Sequence, residues 1–569
     1  MSQNVDEKVV HDDASVIRSV DRSESDSYPD SVSPEGAEPS EEEMKTLRRV
    51  ARRVPLACWL VAIVELAERF SYYGLSTPFQ NYMQYTKTDH PRGVLGLNQS
   101  GATALSYFWQ FWCYVTPIFG AWVADTYLGK YNTISIFCVL YIIGILILFV
   151  TSLPSMSQNT SLGGFITAVI VIGIGTGGVK SNVSPLIADQ VPKEKPSIKV
   201  LKSGERVIED PNLTIQNVFM FFYLMINIGS LSVIATTELE SRFDFWAAYL
   251  LPLCFFVIAL LALFLGKNVY HKVPVGDKVI AKSFKCSFLA LTKLNYDAAR
   301  PSLNPDKEFP WTDKFVDEVQ RALYACKVFL IYPIYWLVYG QMTNNFVSSA
   351  GQMELHGLPN DILQAIDSIT IIIFIPICES IVYPFIRRFT PFRAITKIFW
   401  GFMFGAAAMV YAAVLQHFIY KAGPCYDSPN DCPGFKNIPN HIHVALQTPA
   451  YFLIAISEIL ASITGLEYAY TKAPVSMKSF IMSIFLVQNA FGSALGIALS
   501  PVSKDPKMVW TYTGLAVSCF IAGWVFWFLF KHYNDREDKW NDLDYEQDDG
   551  YNGELEPVVS LTRSFKDMS

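Results

Sequence analysis

The sequence predicts an all-α, polytopic membrane protein with about twelve spans, arranged as two halves of six. Three observations carry this. Of 569 residues, 51% are hydrophobic and only 17% charged. The apolar residues gather into about twelve windows of roughly twenty, the length that crosses a hydrocarbon core of about 30 Å. A long charged segment, 267–324, divides those windows evenly, as in carriers built from two related helical halves around a central site.

The elements follow in order. Residues 1–50 form an acidic, Ser-rich tail poor in large apolar residues, and are expected to be disordered and cytoplasmic. The first half, 51–266, holds spans near 55–85, 97–123, 131–153, 162–186, 214–237 and 243–266. The first span is too long for a signal peptide and follows a polar leader. The second half, 325–531, holds spans near 325–349, 362–386, 392–419, 446–470, 479–500 and 508–530, with an outer loop at 420–445. Residues 532–569 form a second polar tail. Basic residues set the orientation. Arg48, Arg49, Arg52 and Arg53 precede span one, Lys193 to Arg206 follow span four, Lys267 to Lys285 follow span six, and Arg387, Arg388 and Arg393 follow span eight. The alternate loops carry only scattered cations, so both termini are expected inside.

Span one breaks the apolar pattern most sharply. Glu65, Glu68 and Arg69 lie within it, followed by Tyr72 and Tyr73. Each ionisable residue at that depth costs roughly 2.5–3.5 kcal/mol on insertion scales. Positions 65, 68, 69, 72, 73 and 76 share one helical face. A purely structural cluster can pair Glu65 with Arg69 at i, i+4. It leaves Glu68 unbalanced, which favours a transport-pathway role.

Other intramembrane polar groups are few. Lys180 ends the Gly173–Lys180 run in span four, where an ammonium needs a partner, and Glu65 or Glu68 is the natural one. That run superficially resembles a nucleotide loop, but it lies in an apolar span, so Gly173 and Gly177 read as close helix packing. Asn227 lies in span five, where a helix-packing bond and substrate contact are both open. Span seven carries Tyr332, Trp336, Tyr339 and Thr343 on one stripe. Asp367 lies near the outer end of span eight. Glu458 is the lone acid in the apolar part of span ten, with Ser462 and Gly465 on its face and Glu467 on the opposite one. Asp125, beside Gly129 and Lys130, belongs to the cytoplasmic rim.

Cations in the first half and acids in the second suit a small zwitterion between them. Its carboxylate would meet Arg69 and Lys180, and its ammonium Asp367 and Glu458. Tyr72 and Tyr73 offer hydroxyls and rings to peptide groups. Most of the ten cysteines lie in spans and behave as small apolar residues. Cys425 and Cys432 stand in an outer, Pro- and Asn-rich loop whose compartment permits a disulfide. Asn159 begins a glycosylation sequon close to the membrane. Neither metal-ligand spacing nor a catalytic triad is present. The net charge of −7 comes largely from the tails, and no basic surface points to nucleic acid.

The segment Glu65–Gly74 (ELAERFSYYG) resembles the ExxERFxYYG signature of the proton-dependent oligopeptide transporter family, a branch of the major facilitator superfamily. Gly120–Tyr131, Gly175–Gln190, Phe222–Leu231, Ser457–Pro474 and Met477–Ser479 resemble its other motifs in the same order. The resemblance spans roughly residues 55–530. The absence of additional spans between the halves and the spacing of the outer cysteines resemble fungal members. The resemblance implies twelve helices in two bundles, alternating access, and proton-coupled import of di- and tripeptides. By it Arg69 and Lys180 would hold the peptide carboxyl end beside Tyr72 and Tyr73. Asn227 would contact the backbone, Glu458 the amino end, and Trp336 would line a side-chain pocket. Glu65 and Glu68 would pair with the cations and take part in proton coupling. A carboxylate that loses its cation to substrate protonates more readily, so binding and protonation are linked.

Departures from the family pattern shift that assignment. Many members carry an Arg and a span-seven acid that pair across the outer gate. Here Ser76 and Gly340 stand in those places, so both charges are absent together. Asp367 stands where many relatives have Asn, and joins Glu65 and Glu68 as a proton-coupling candidate. No His lies in span two. Tyr339 occupies the place of the nitrate-binding His of plant relatives, which disfavours nitrate. The expectation is therefore a plasma-membrane symporter of di- and tripeptides, functional as a monomer, with the proton as coupling ion, no cofactor or metal, and no enzymatic activity. A same-fold carrier of nitrate or another small metabolite, and a nutrient sensor that scarcely transports, are the alternatives.

Overall fold

The computed structural model describes residues 36–533 except 193–194, 203, 274–278, 294, 306, 391, 433–437 and 472–477. Both tails beyond those limits, and the part of the Ser457–Ser479 motif region between 472 and 477, lie outside the described residues.

The chain divides into two units. The smaller combines residues up to Arg52 with Lys193–Leu213. Strands Ser197–Val200 and Arg206–Glu209 form an antiparallel hairpin, and Arg49–Val50 adds a parallel third strand. Ile198, Val207 and Ile208 are buried in it. Helix Glu41–Thr46 begins with a capping box, in which Glu43 N donates to Ser40 Oγ (3.3 Å) and Ser40 N to Glu43 Oε2 (3.0 Å). Arg48 pairs with Glu205 (3.1 Å), Arg52 with Glu209 (3.1 Å) and Arg206 with Glu43 (3.0 Å). The tail expected to be disordered to residue 50 is thus folded from about residue 40. Its charges find partners on a hairpin distant in sequence, which composition cannot reveal.

The larger unit is the helical body. Its first half contains Leu56–Ser76, Asn98–Val123, Lys130–Thr151, Gln158–Lys180, Pro211–Ser230 continued by Ser232–Arg242, and Phe245–Leu265. The second contains Tyr332–Tyr339 with Asn345–Gly351, Ala365–Ile377 with Tyr383–Arg387, Ala394–Lys421, Thr448–Glu458 with Thr464–Thr471, Lys478–Leu499 and Met508–Phe530. Among the described residues, ten helices are long and apolar enough to cross a membrane. Leu56–Ser76, with its three ionisable residues, and Asn98–Val123 are not in that set. Between the halves lie Val279–Lys293 and the amphipathic Asp313–Cys326.

Span one is shorter than expected. It turns at Thr77–Pro78 and resumes as Phe79–Gln84. Span seven breaks at Asn344, whose side chain accepts from Asn345 N (2.5 Å), so Gly340–Thr343 is a tight 3₁₀ turn. Span three shows the membrane pattern most plainly. Ile136, Val139, Ile143, Leu146 and Val150 are exposed along one stripe, while Phe137, Tyr141, Ile145 and Leu148 are buried. Behind it Tyr141 stacks on Phe256 at 4.1 Å between ring centroids. Spans two and four approach through glycines: a Cβ on Gly120 would lie 2.4 Å from the Gly177 carbonyl oxygen, and one on Gly177 2.6 Å from Thr116.

Candidate functional site

Helix Leu56–Ser76 brings the predicted stripe together. Arg69 Nε lies 3.0 Å from Glu65 Oε1, and Arg69 Nη2 pairs with Glu68. All three side chains are buried, Glu68 completely at 0% exposure. Gly229 of span five makes the space, since a Cβ there would sit 2.7 Å from Arg69 Cβ. Glu68 Oε1 receives no hydrogen bond. The triad therefore carries one more acid than cation and leaves acceptor capacity unused.

Lys180 stands at the end of helix Gln158–Lys180. The expected ion pair with Glu65 or Glu68 is not formed. Its ammonium lies 3.7 Å from the centroid of the Tyr114 ring and 5.4 Å from that of Tyr72. A π face satisfies an ammonium without neutralising it, so the charge acts on Glu65 from a distance and stays available to an anion. Sequence reasoning misses Tyr114, because a ring on span two carries no charge signature. Tyr72 also receives the Arg69 guanidinium at 5.7 Å and stacks on Trp109 at 5.6 Å.

The second half supplies the opposite wall. Asp367, in Ala365–Ile377, and Glu458, at the end of Thr448–Glu458, act on each other electrostatically, with no cation within salt-bridge range among the described residues. Asp367 Oδ1 and Glu458 Oε2 are buried without a donor. Glu458 leads directly into the π-helical turn Ile459–Ile463, a local loosening of the backbone ladder found often at functional sites. Trp336 packs edge-on to Tyr335 (5.3 Å) and Tyr339 (5.5 Å), and its indole N–H is buried without an acceptor. Tyr73 connects the walls, within electrostatic reach of Arg69 on one side and of Glu458 and Asp367 on the other.

Two candidates are placed differently. Asn227 donates one of its two amide hydrogens to the Tyr223 carbonyl of its own helix (2.8 Å) rather than to a neighbouring helix or the walls. Gly465 packs under Tyr332, where a Cβ would lie 2.4 Å from the hydroxyl. Cys425 and Cys432 are joined as a disulfide with Cα atoms 5.4 Å apart.

Neutral groups lace the halves together at the end bearing that disulfide. Asn81 and Asn360 exchange two bonds of 2.8 Å, and Gln84 donates to Ser348 (2.9 Å). Thr103 donates to Asn345 (3.1 Å), Gln110 to Thr343 (2.8 Å), and Tyr107 to the Leu337 carbonyl (2.9 Å). Ser76 turns back to the Tyr73 carbonyl (3.3 Å). A Cβ on Gly340 would lie 2.6 Å from Tyr107.

Two helical halves laced at one end, with charged walls between them, define a secondary transporter of the major facilitator kind. Residues 22–198 match the Major Facilitator Superfamily model, and residues 131–517 match that of the POT family. The chain belongs to the POT family, and is a transporter rather than an enzyme. It is 77% identical to peptide transporter PTR_B of Candidozyma auris over 99% of this chain and 97% of that protein. It is 64% identical to peptide transporter PTR2 of Saccharomyces cerevisiae over 91% and 86%. The fold resembles the crystal structure of the POT family transporter PepTSo, with a TM-score of 0.66 at 20% identity over 85% of this chain and 99% of that one.

Proposed function

We propose that this protein is a proton-coupled symporter that imports di- and tripeptides by alternating access. One observation supports the reading: the cations Arg69 and Lys180 lie in the first half, and the second half offers an acidic pair, Asp367 and Glu458, with no cation in salt-bridge range among the described residues. The peptide carboxylate meets Arg69 and Lys180, and its α-ammonium meets Asp367 and Glu458. Tyr72 and Tyr73 line the path, Trp336 borders a side-chain pocket, and Asn227 reaches the backbone once it leaves Tyr223. The peptide carboxylate competes with Glu65 and Glu68 for Arg69, and an acid that loses its cation takes up a proton. Binding of the two substrates is thereby linked.

The same reading makes Leu56–Ser76 and Asn98–Val123 the remaining two of twelve crossings. It places the disulfide loop outside and both termini inside the plasma membrane. The laced state is then closed to the outside. The monomer suffices, and the proton is the sole coupling ion.

The test uses purified protein in liposomes under an imposed pH gradient, offered labelled dialanine, nitrate and free alanine. Gradient-driven accumulation of dialanine alone is expected. Accumulation of nitrate, or dialanine binding with no uptake under any gradient, would overturn the proposal.

A further inference from the structure

A second acidic pair lies at the laced end. Glu240 occupies the last turn of Ser232–Arg242 in the first half, and Asp361 immediately precedes Ile362–Gln364 in the second. Their carboxyl groups face each other at hydrogen-bonding range. Asn81 donates to Glu240 Oε1 (3.0 Å) and also holds Asn360, the neighbour of Asp361 (2.8 Å). Asp361 is completely buried, at 0% exposure, and among the described residues no amide, hydroxyl or cationic side chain donates to its carboxyl oxygens. Glu240 Oε2 is likewise buried without a donor.

Among the described residues, no cation compensates the pair. Asp244 stands nearby in the first half and is held by Arg92 (3.2 Å). Arg242 is spent on Glu238 (2.7 Å). Tyr249 faces both acids from span six, and Tyr451 faces Asp361 from span ten. The other groups that act on the two acids, Asp244, Tyr249 and Tyr451, are an acid and two phenols, and the nearby Arg92 and Arg242 are each paired with a different acid. Two ionised carboxylates in such contact repel strongly in a poorly solvated site, whereas one shared proton supplies the donor that the buried oxygens lack.

We propose that Glu240 and Asp361 form a proton-binding latch, holding one shared proton while the outer end is closed and releasing it when that end opens. The two acids belong to different halves, so opening separates them into water, where both ionise. Closing takes up one proton from the outer solution and reopening returns it to the same side. The latch thus biases the conformational equilibrium by external pH without adding to the protons carried across. It rests on the alternating-access reading, and it is distinct from the coupling acids at the central site.

Infrared spectroscopy reads the shared proton directly. At pH 7.5 the wild type should show a protonated-carboxyl C=O band that is missing from both Glu240→Gln and Asp361→Asn. In liposomes, Glu240→Gln supplies an amide donor in place of the proton. It should shift the external pH of half-maximal dialanine uptake by about one unit or more while leaving the accumulation ratio at a fixed gradient unchanged. An unchanged infrared band in both variants, an unchanged pH profile, or an accumulation ratio that collapses would each overturn the latch. Wild-type protein that accumulates no dialanine would instead defeat the transport reading, and the infrared comparison would still decide whether the pair holds a proton.

Discussion

Replacing Glu68 by Gln separates proton coupling from peptide binding. The side chain is completely buried and paired with Arg69, and Gln matches its size, so the change leaves no cavity. Stripping a buried ion of its partner costs roughly 3–5 kcal/mol. Here Arg69 keeps Glu65 at 3.0 Å, so folding should survive with a smaller loss. The charge count of the wall changes more consequentially. Two acids and two cations, Arg69 and Lys180, sum to zero; in Glu68→Gln one acid is lost and a single positive charge is left over. A peptide carboxylate then meets one competitor fewer, and affinity at neutral pH should rise roughly fivefold or more, the lower end of ordinary coupling energies.

Accumulation should move the other way. One pH unit is worth about 1.4 kcal/mol per proton, or about tenfold accumulation of peptide per coupled proton. In liposomes with a one-unit gradient, wild-type protein should concentrate dialanine about tenfold per proton carried. Glu68→Gln should equilibrate it without concentration, yet exchange labelled for unlabelled dialanine at wild-type rates when the pH is equal on both sides. Tenfold accumulation by the variant would refute the reasoning and pass the coupling proton to Glu65 or Asp367.

Three further outcomes are expected. Asp367→Asn should weaken dialanine roughly tenfold, within the range of a charge-assisted hydrogen bond, and leave N-acetyl-dialanine unaffected in competition uptake. Gly177→Ala should destabilise the first half by about 1–3 kcal/mol, because the new methyl lies 2.6 Å from Thr116, and reduced melting temperature of the purified protein would register it. Burial raises the Asp505 carboxyl in its loop above the ordinary carboxylate range, against the donors Tyr420, Gln352 and Asn430. A group raised on folding binds its proton more tightly in the native state, so its contribution is full at low pH and declines as pH rises through the raised value. Asp505→Asn should flatten that part of the melting-temperature profile, from the ordinary carboxylate range upward.

The parts of the arrangement legible in the sequence are those that violate the membrane's chemistry. Charges in span one had to share a face, and helical periodicity put Glu65, Glu68 and Arg69 together. Asp367 and Glu458 stood out for the same reason, although only the fold could show them facing each other. What stayed hidden was neutral or distant. Tyr114 under Lys180 is one aromatic residue among many. The amides at the closed end, Asn81, Gln84, Asn345 and Asn360, look like ordinary rim residues. Glu240 lies in a polar last turn and Asp361 in a loop, so neither stood out as intramembrane. The helix at Glu41–Thr46 depends on ion pairs with a hairpin much later in the chain. Breaks at Pro78 and Asn344 shortened two spans that hydropathy alone read as continuous.

The neutral character of the closed end has a physical reason that the missing gate charges make visible. Tyr107 fills the space beside Gly340, bonding the Leu337 carbonyl, so an acid side chain at 340 has no room. With that acid absent, an Arg at 76 would be a buried cation with no partner, and Ser76 caps its own helix instead. Each amide or hydroxyl bond across the halves exchanges for a bond to water and is worth only about 1 kcal/mol. A handful of such bonds leaves open and closed states within a few kcal/mol of each other, as a carrier that must visit both requires. It also leaves the lacing itself insensitive to pH. Sensitivity at this end then falls to the place where two acids from opposite halves meet without a cation, Glu240 and Asp361.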